Sequence, residues 1–202
     1  MNDKINILLL GDSTIVHITD RITSQLSATA NVIASPSVRH SHNFIANIDN
    51  WMQTTEPTVV YFNCGLHDLS RDRATHEFTH YQTTNQQKVL RLYSSNLNSI
   101  INRFEKEVTI QHIIWGTITP VIDQWHHETK TFDRRESDVI SLNETALNVA
   151  HTRGLLVHDR HQAIMDADMK QCLRPDGVHM TPQGLDVLAT STANAIRDVI
   201  LQ

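Results

Sequence analysis

The chain has 202 residues, of which 40% are hydrophobic and 19% are charged, and its formal net charge at pH 7 is −5. A chain of this length can bury enough surface for one globular domain, which we expect to span residues 1–202. Because acidic and basic residues are interspersed, no basic face is available to neutralise phosphates, and no nucleic-acid partner is expected.

Short apolar segments alternate with longer segments of helical periodicity. The apolar segments predict five strands, at residues 5–10, 31–34, 58–63, 112–117 and 155–158. Apolar residues at helical spacing predict helices at residues 43–52, 89–104 and 141–151, and a last helix that Thr181 caps and Pro182 begins. This alternation predicts a parallel sheet that is covered by helices on both faces.

Two polar segments are longer than a simple connection requires. Residues 66–87 follow the third predicted strand, and residues 123–138 follow the fourth. In open α/β sheets, ligands bind beyond the carboxyl ends of the strands, where both segments would lie. We therefore expect these two loops to form the walls of a substrate site.

Cysteine content and hydropathy indicate the compartment. Cys64 and Cys172 are the only cysteines, and neither belongs to a CxxC motif, so we expect two reduced, buried thiols. The apolar run at residues 5–10 is too short for a signal peptide or a membrane span. The sequence therefore predicts a cytoplasmic protein without a membrane-spanning segment.

The first candidate for chemistry is Ser13, which directly follows the first strand in the motif Gly11–Asp12–Ser13. At this position a serine hydroxyl is exposed, and its own amide can face an oxyanion. The alternative is that Ser13 only caps a helix that begins near Ile15. The motif alone does not decide between the two interpretations.

A serine nucleophile needs a base, and the chain has 13 histidines. His179 differs from the others because Asp176 precedes it on a glycine-containing turn, just before the last helix. This spacing allows the carboxylate to orient the imidazole and to stabilise its charged form. The alternative is an ordinary polar loop in which Asp176 begins a turn.

Taken in order, these motifs resemble those of the SGNH, or GDSL-type, hydrolases. The resemblance extends over essentially the whole chain. It rests on Gly11–Asp12–Ser13, Gly65–Leu66–His67–Asp68 and Asp176-x-x-His179, with further similarity at Tyr93-x-x-Asn96–Leu97, Thr117-x-Thr119–Pro120, Asn143 and Val157–His158–Asp159.

The resemblance implies a fold, a triad and a reaction. The fold is a three-layer α/β/α, flavodoxin-like sandwich with a five-stranded parallel sheet. Ser13 is implied as the nucleophile, His179 as the general base and Asp176 as its orienting partner. The implied reaction is hydrolysis of a small or carbohydrate-linked acyl ester, most simply an acetyl ester, without a metal or an organic cofactor.

The chain departs from the family's pattern at two positions of the expected oxyanion hole. The family's Gly-x-Asn-Asp block here contains His67 after Gly65, so an imidazole replaces the amide donor, and the resemblance implies that both residues belong to the oxyanion and substrate-binding site. A neutral imidazole has one N–H donor and an imidazolium has two, so the role would depend on pH. A partner such as Asp68 or a backbone carbonyl would have to fix the tautomer.

The second departure is a missing glycine. The family's second block supplies a glycine amide to the oxyanion, but this chain has no glycine between Gly11 and Gly65. The matching segment, residues 35–43, places Arg39 at that position. Its backbone amide can still donate, or its guanidinium can contact the oxyanion or an acidic substrate.

Other interpretations remain open. The same triad could transfer the acyl group to a sugar hydroxyl or cleave a thioester, and a chain that has lost its oxyanion hole could act as a binding module. The remaining histidines suggest a metal site, but their spacing matches no zinc signature, so we expect no metal. Trp125, in the second long loop, could contact a sugar ring or an acyl chain.

Overall fold

The computed structural model describes residues 4–53 and 55–201, and its centre is a five-stranded parallel sheet. The strand order is β2-β1-β3-β4-β5, and every neighbouring pair is parallel. The strands are β1 (Ile5–Leu10), β2 (Ala30–Ala34), β3 (Val59–Phe62), β4 (His112–Gly116) and β5 (Leu156–His158).

Helices connect these strands and cover both faces of the sheet. They are α1 (Ser13–Leu26), α2 (Ser41–Gln53), α3 (Gln86–Phe104), α4 (Asp123–Thr129), α5 (Glu136–Thr152), α6 (Arg160–Asp166), α7 (Met169–Cys172) and α8 (Pro182–Ile200). No helix in these described ranges is long and apolar enough to cross a membrane.

The three central strands, β1, β3 and β4, bury side chains on both of their faces, whereas the edge strand β2 leaves Asn31 and Ile33 exposed on one face. In β1, Leu8 and Leu10 enter the apolar core that α2, α3 and α5 cover. The alternate residues Ile7 and Leu9 enter the opposite core, against α1 and α8. Side chains of successive strand residues point to opposite faces, which is why these strands are almost continuously apolar in sequence.

The three-layer α/β/α sandwich is therefore confirmed, and each predicted strand limit is correct to within one residue. The prediction for residues 123–138 was wrong in part, because α4 occupies Asp123–Thr129 and α5 begins at Glu136. The reason is that α4 is short and contains one large apolar residue, Trp125, so no helical period was visible. Both cysteines are buried and free, as expected.

The two predicted walls contact each other instead of standing apart. The backbones of Arg71 and Asp133 exchange two hydrogen bonds, with N···O distances of 2.8 and 2.9 Å. The Arg71 guanidinium also forms a buried bidentate ion pair with Asp138, at 2.7 and 2.9 Å, and lies 3.6 Å from the centroid of the Phe78 ring. This cluster fixes the segment after β3 to the first turn of α5.

We predict that Asp138→Ala lowers the free energy of unfolding by about 3–5 kcal/mol, because it leaves the buried Arg71 guanidinium without its counter-ion. Urea denaturation measures the change. The control is Asp186→Ala, which removes the exposed ion pair with Arg21 and should cost less than ~1 kcal/mol. Equal losses in the two variants would show that the Arg71–Asp138 pair does not anchor the wall.

Candidate active site

Ser13 is the first residue of α1, at the carboxyl end of β1. The helix is capped by Asp12, whose side chain accepts hydrogen bonds from the Thr14 amide at 2.9 Å and the Thr14 hydroxyl at 2.6 Å. The interpretation of Ser13 as the cap is therefore wrong. Its hydroxyl and its amide donate to no other residue in the described part of the chain, so both remain available for a ligand.

His179 is oriented by Asp176, as the spacing predicted. The Nδ1 atom of His179 lies 2.6 Å from Oδ2 of Asp176, and the carboxylate also accepts hydrogen bonds from the amides of Val178 and His179. Burial opposes ionisation of Asp176, but these hydrogen bonds outweigh it and hold its pKa well below the ordinary value. The ionised carboxylate places a proton on Nδ1, which leaves Nε2 of His179 as a proton acceptor.

The turn between Asp176 and His179 requires a glycine at position 177. Gly177 has a φ of +69°, and a Cβ atom there would lie 2.5 Å from the carbonyl oxygen of Ile122. The Ile122 amide donates to the Gly177 carbonyl at 2.9 Å, which ties the turn to the segment before α4. The position of the Asp176–His179 pair is therefore set by contacts outside its own loop.

The structure brings the His179 loop to the helix that carries Ser13. His17 lies one helical turn after Ser13, so both side chains are on the same face of α1. The ring centroids of His17 and His179 are 6.4 Å apart. The predicted nucleophile and the predicted base therefore lie at one end of the sheet.

His67 lies in the 3₁₀ turn Leu66–Leu69, directly after β3. Its Nδ1 atom is 3.3 Å from Nη2 of Arg134. A guanidinium can only donate, so Nδ1 must be the acceptor and the imidazole proton must reside on Nε2. Burial, and then the Arg134 charge, lower the pKa of His67 to about 4, so the ring is neutral at pH 7.

The sequence suggested Asp68 as the partner that fixes the tautomer of His67, but the Asp68 carboxylate is bonded elsewhere. Its carboxylate accepts hydrogen bonds from the Ser41 amide at 2.9 Å, the Ser41 hydroxyl at 2.8 Å and the Tyr81 hydroxyl at 2.5 Å. That suggestion was wrong because the Asp68 side chain is fully buried against α2 and the Tyr81 loop.

Arg39 lies in the segment between β2 and α2, and its side chain is exposed. The neighbouring amides all have acceptors: Val38 donates to the Gly11 carbonyl, His40 to the Asn43 side chain and Ser41 to Asp68. Among the described residues, the Arg39 amide alone in residues 38–41 donates to no acceptor. This is the position at which the family resemblance places the missing glycine.

Gly65 has a φ of +127° and faces the core. A Cβ atom there would lie 2.5 Å from Leu142, 2.8 Å from Ile118 and 3.0 Å from Tyr93. Close packing therefore explains this glycine, and its assignment to the oxyanion hole remains a prediction.

Two further cations reach this end of the sheet from the α4–α5 segment. Lys130 Nζ lies 3.2 Å from Oδ2 of Asp176, and Arg134 contacts His67. Neither residue is among those that the sequence motifs indicated for the site. The available signal was that both are basic residues in a loop that was expected to overhang the site.

Three histidines form a stack beside His67. The rings of His40 and His80 lie 4.2 Å apart and those of His42 and His80 lie 4.3 Å apart, while His40 is 5.9 Å from His67. Across the described ranges, no group of three or more His, Cys, Asp or Glu side chains is arranged to hold a metal ion. Trp125 packs against the core beside α8.

Comparison with solved structures confirms the resemblance at the level of the fold. The chain is similar to a lipase/acylhydrolase from Enterococcus faecalis, with 18% identity, a TM-score of 0.75 and coverage of 96% of this chain and 97% of the other. It is also similar to an acetylxylan esterase from Geobacillus stearothermophilus, with 17% identity, a TM-score of 0.68 and coverage of 97% and 96%.

A third similar structure is another acetyl xylan esterase, with 15% identity, a TM-score of 0.71 and coverage of 95% of this chain and all of the other. No protein-family model and no curated protein matched the sequence. At these identities, the structural matches show a shared fold.

We predict that the free energy of unfolding falls as the pH is lowered from 6.5 to 4. Burial is the main cause that lowers the pKa values of His67, His126 and His158 to about 4 each. The unfolded chain therefore binds more protons than the folded one in this range, so acid favours unfolding. Urea denaturation at several pH values measures the slope.

The matched variant for this prediction is His126→Phe, because His126 is fully buried beside Phe132 and neither ring nitrogen has a hydrogen-bond partner among the described residues. This variant should reduce the slope of the free energy of unfolding against pH by the contribution of one titrating group. His151→Gln, at an exposed position, should leave the slope unchanged. A slope that His126→Phe does not alter would contradict the prediction.

Proposed function

We propose that this protein is a serine esterase that hydrolyses a carboxylic ester through an acyl-enzyme on Ser13. The observation that carries the proposal is the Asp176–His179 pair, which leaves Nε2 of His179 free beside the helix that begins at Ser13. The fold shared with a lipase/acylhydrolase and with acetylxylan esterases supports it.

The reaction begins when Oγ of Ser13 attacks the acyl carbonyl carbon. Nε2 of His179 accepts the hydroxyl proton as the new C–O bond forms. The ionised Asp176 then stabilises the imidazolium through the 2.6 Å contact at Nδ1. A serine is a poor nucleophile without such a base, so the proposal requires all three groups.

The attack leaves a negative charge on the former carbonyl oxygen, and three N–H groups are available to stabilise it. Two are backbone amides, of Ser13 and Arg39, and the third is the Nε2–H group of His67. None of these hydrogens is used elsewhere in the part of the chain that the structure describes. Donors that are fixed before the reaction stabilise a developing charge without reorganisation.

The intermediate collapses when the ester C–O bond breaks and His179 returns its proton to the departing alcohol. A water molecule then attacks the acyl-Ser13 carbonyl, with His179 again accepting the proton. The bond between the acyl carbon and Oγ of Ser13 breaks as His179 returns this proton to Oγ. The products are a carboxylic acid and an alcohol, and Ser13 is regenerated. The cycle consumes one water and needs no oxidant or reductant.

The walls of the site favour a short or carbohydrate-linked acyl ester, most simply an acetyl ester. The side chains beside His67 are the His40 imidazole and the Arg134 guanidinium, and the exposed guanidinium of Arg39 lies on a neighbouring segment. Such polar groups can bind hydroxyls, whereas a long lipid chain would need an extended apolar groove. Two of the structurally similar proteins are acetylxylan esterases.

We predict that Ser13→Ala abolishes hydrolysis of p-nitrophenyl acetate, because the variant cannot form the acyl-enzyme. Asp176→Asn should lower kcat by about 10³–10⁴-fold, since the amide no longer stabilises the required tautomer and the imidazolium. The control is Ser99→Ala, an exposed serine on α3. Undiminished turnover by Ser13→Ala would remove the assignment.

Labelling with a serine-directed fluorophosphonate tests the same proposal without a substrate. Mass mapping should locate one adduct on Ser13, and the adduct should be absent from Ser13→Ala. A protein that binds acylated ligands but remains unlabelled would be a binding module. If competing sugar or thiol acceptors capture the acyl group in place of water, the protein is an acyltransferase.

A second prediction concerns the oxyanion. His67→Ala should lower kcat for p-nitrophenyl acetate by about 10²–10³-fold, with a much smaller change in KM, because this donor acts on charge that develops in the transition state. His76→Ala is the control, since His76 is an exposed histidine in the same loop. A loss confined to KM would show that His67 binds the substrate and does not stabilise the oxyanion.

A further inference from the structure

Arg134 is a buried cation without a carboxylate partner. The residue is 5% exposed, and no Asp or Glu oxygen in the described part of the chain lies within 4 Å of its guanidinium. Its one hydrogen bond to another side chain joins Nη2 to Nδ1 of His67, and Nε has no acceptor among the described residues. A buried arginine normally pairs with an acid, so this contact with a histidine needs an explanation.

We propose that Arg134 is a positioning residue that holds His67 in the Nε2–H tautomer and thereby aims a hydrogen-bond donor at the oxyanion. This inference rests on the proposed function, because it assigns Arg134 a role in the same reaction.

The Nε2–H tautomer of His67 follows from the hydrogen-bond donors and acceptors that the two side chains carry. A neutral imidazole has one N–H and one lone pair, and a guanidinium has five N–H groups and no acceptor. The Nδ1–H tautomer would place two N–H groups against each other at the 3.3 Å contact. It would also direct the Nε2 lone pair of His67 at the oxyanion, so the wrong tautomer would repel the charge that the right one stabilises.

Arg134 also keeps His67 neutral. Burial lowers the pKa of Arg134 to about 10, although Asp12 and Asp176 oppose this shift, and the guanidinium remains charged at pH 7. Burial and then this positive charge lower the pKa of His67 to about 4. Asp12 opposes that shift as well, whereas His40 and Arg39 add to it. His67 is therefore a single-proton donor throughout the neutral range.

The backbone around Arg134 is held on both sides. Asp133 exchanges its two backbone hydrogen bonds with Arg71, and the amide of Glu136 donates to the Asp123 carboxylate at 2.7 Å. The Phe132 ring packs 5.2 Å from the guanidinium carbon of Arg134. These anchors fix the arginine over His67 without using the guanidinium nitrogens, which distinguishes it from Arg71, whose guanidinium joins two structural segments.

The test is ¹⁵N NMR of the His67 ring in the full chain, together with its pH titration. Wild-type protein should show the Nε2–H tautomer and a titration near pH 4. Arg134→Met keeps most of the side-chain volume but removes the donor and the charge. It should give a mixture of tautomers and a titration midpoint that moves towards 6.5.

Kinetics complete the test. Arg134→Met should lower kcat for p-nitrophenyl acetate by about 10²-fold, with little change in KM. Arg134→Lys, which retains a cationic donor, should recover part of both the tautomer preference and kcat. The control is Arg135→Met, a neighbouring arginine for which no contact with His67 is observed.

Two results would overturn the inference. One is an Nδ1–H tautomer in the wild-type protein, which decides the question even if Arg134→Met fails to fold. The other is a folded Arg134→Met protein whose His67 tautomer and titration are unchanged. Neither readout needs turnover, so a wild-type protein that fluorophosphonate does not label would refute the esterase while leaving the Arg134–His67 coupling measurable.

Discussion

Parallel pairing of β1 with β3 is the constraint on which the site depends. The two strands are in register up to Leu10 and Phe62, so the chain leaves both of them at the same edge of the sheet. The connection from β1 runs to β2 on one side, whereas β3 lies on the other side, and open α/β sheets bind ligands at such a reversal of strand order. Ser13 and His67 follow these two strands, which is why the proposed nucleophile and the proposed oxyanion donor, far apart in sequence, lie at the same edge of the sheet.

The segment between β4 and α5 places two cations beside residues of the proposed active site. Lys130 contacts Asp176, the partner of the proposed base, and Arg134 contacts His67, the proposed oxyanion donor. The backbone pairing of Arg71 with Asp133 joins this segment to the loop after β3. This segment therefore contacts both halves of the proposed chemistry: Lys130 lies beside the Asp176 carboxylate, and the Arg134 charge helps to keep His67 neutral.

Periodicity predicted the sheet well because the three central strands, β1, β3 and β4, are apolar on both faces, and it predicted α8 because Thr181 caps an uninterrupted apolar stripe. It missed α4, α6 and α7, which are too short to show a helical period. The Asp176–His179 pair was predictable because its members are three positions apart in sequence, whereas His67 and Arg134 are 67 positions apart and their contact depends on how two loops pair. With 13 histidines in the chain, the sequence alone could not distinguish the proposed oxyanion donor, His67, from histidines whose rings only stack on one another.

The most direct measurement is a crystal structure of the protein with a phosphonate bound covalently to Ser13, because its phosphoryl oxygen occupies the position of the oxyanion. We predict that this oxygen accepts hydrogen bonds from the amides of Ser13 and Arg39 and from Nε2 of His67, each at about 2.7–3.1 Å. An adduct whose phosphoryl oxygen points away from His67, or a His67 ring that has left Arg134 to present Nδ1, would contradict it.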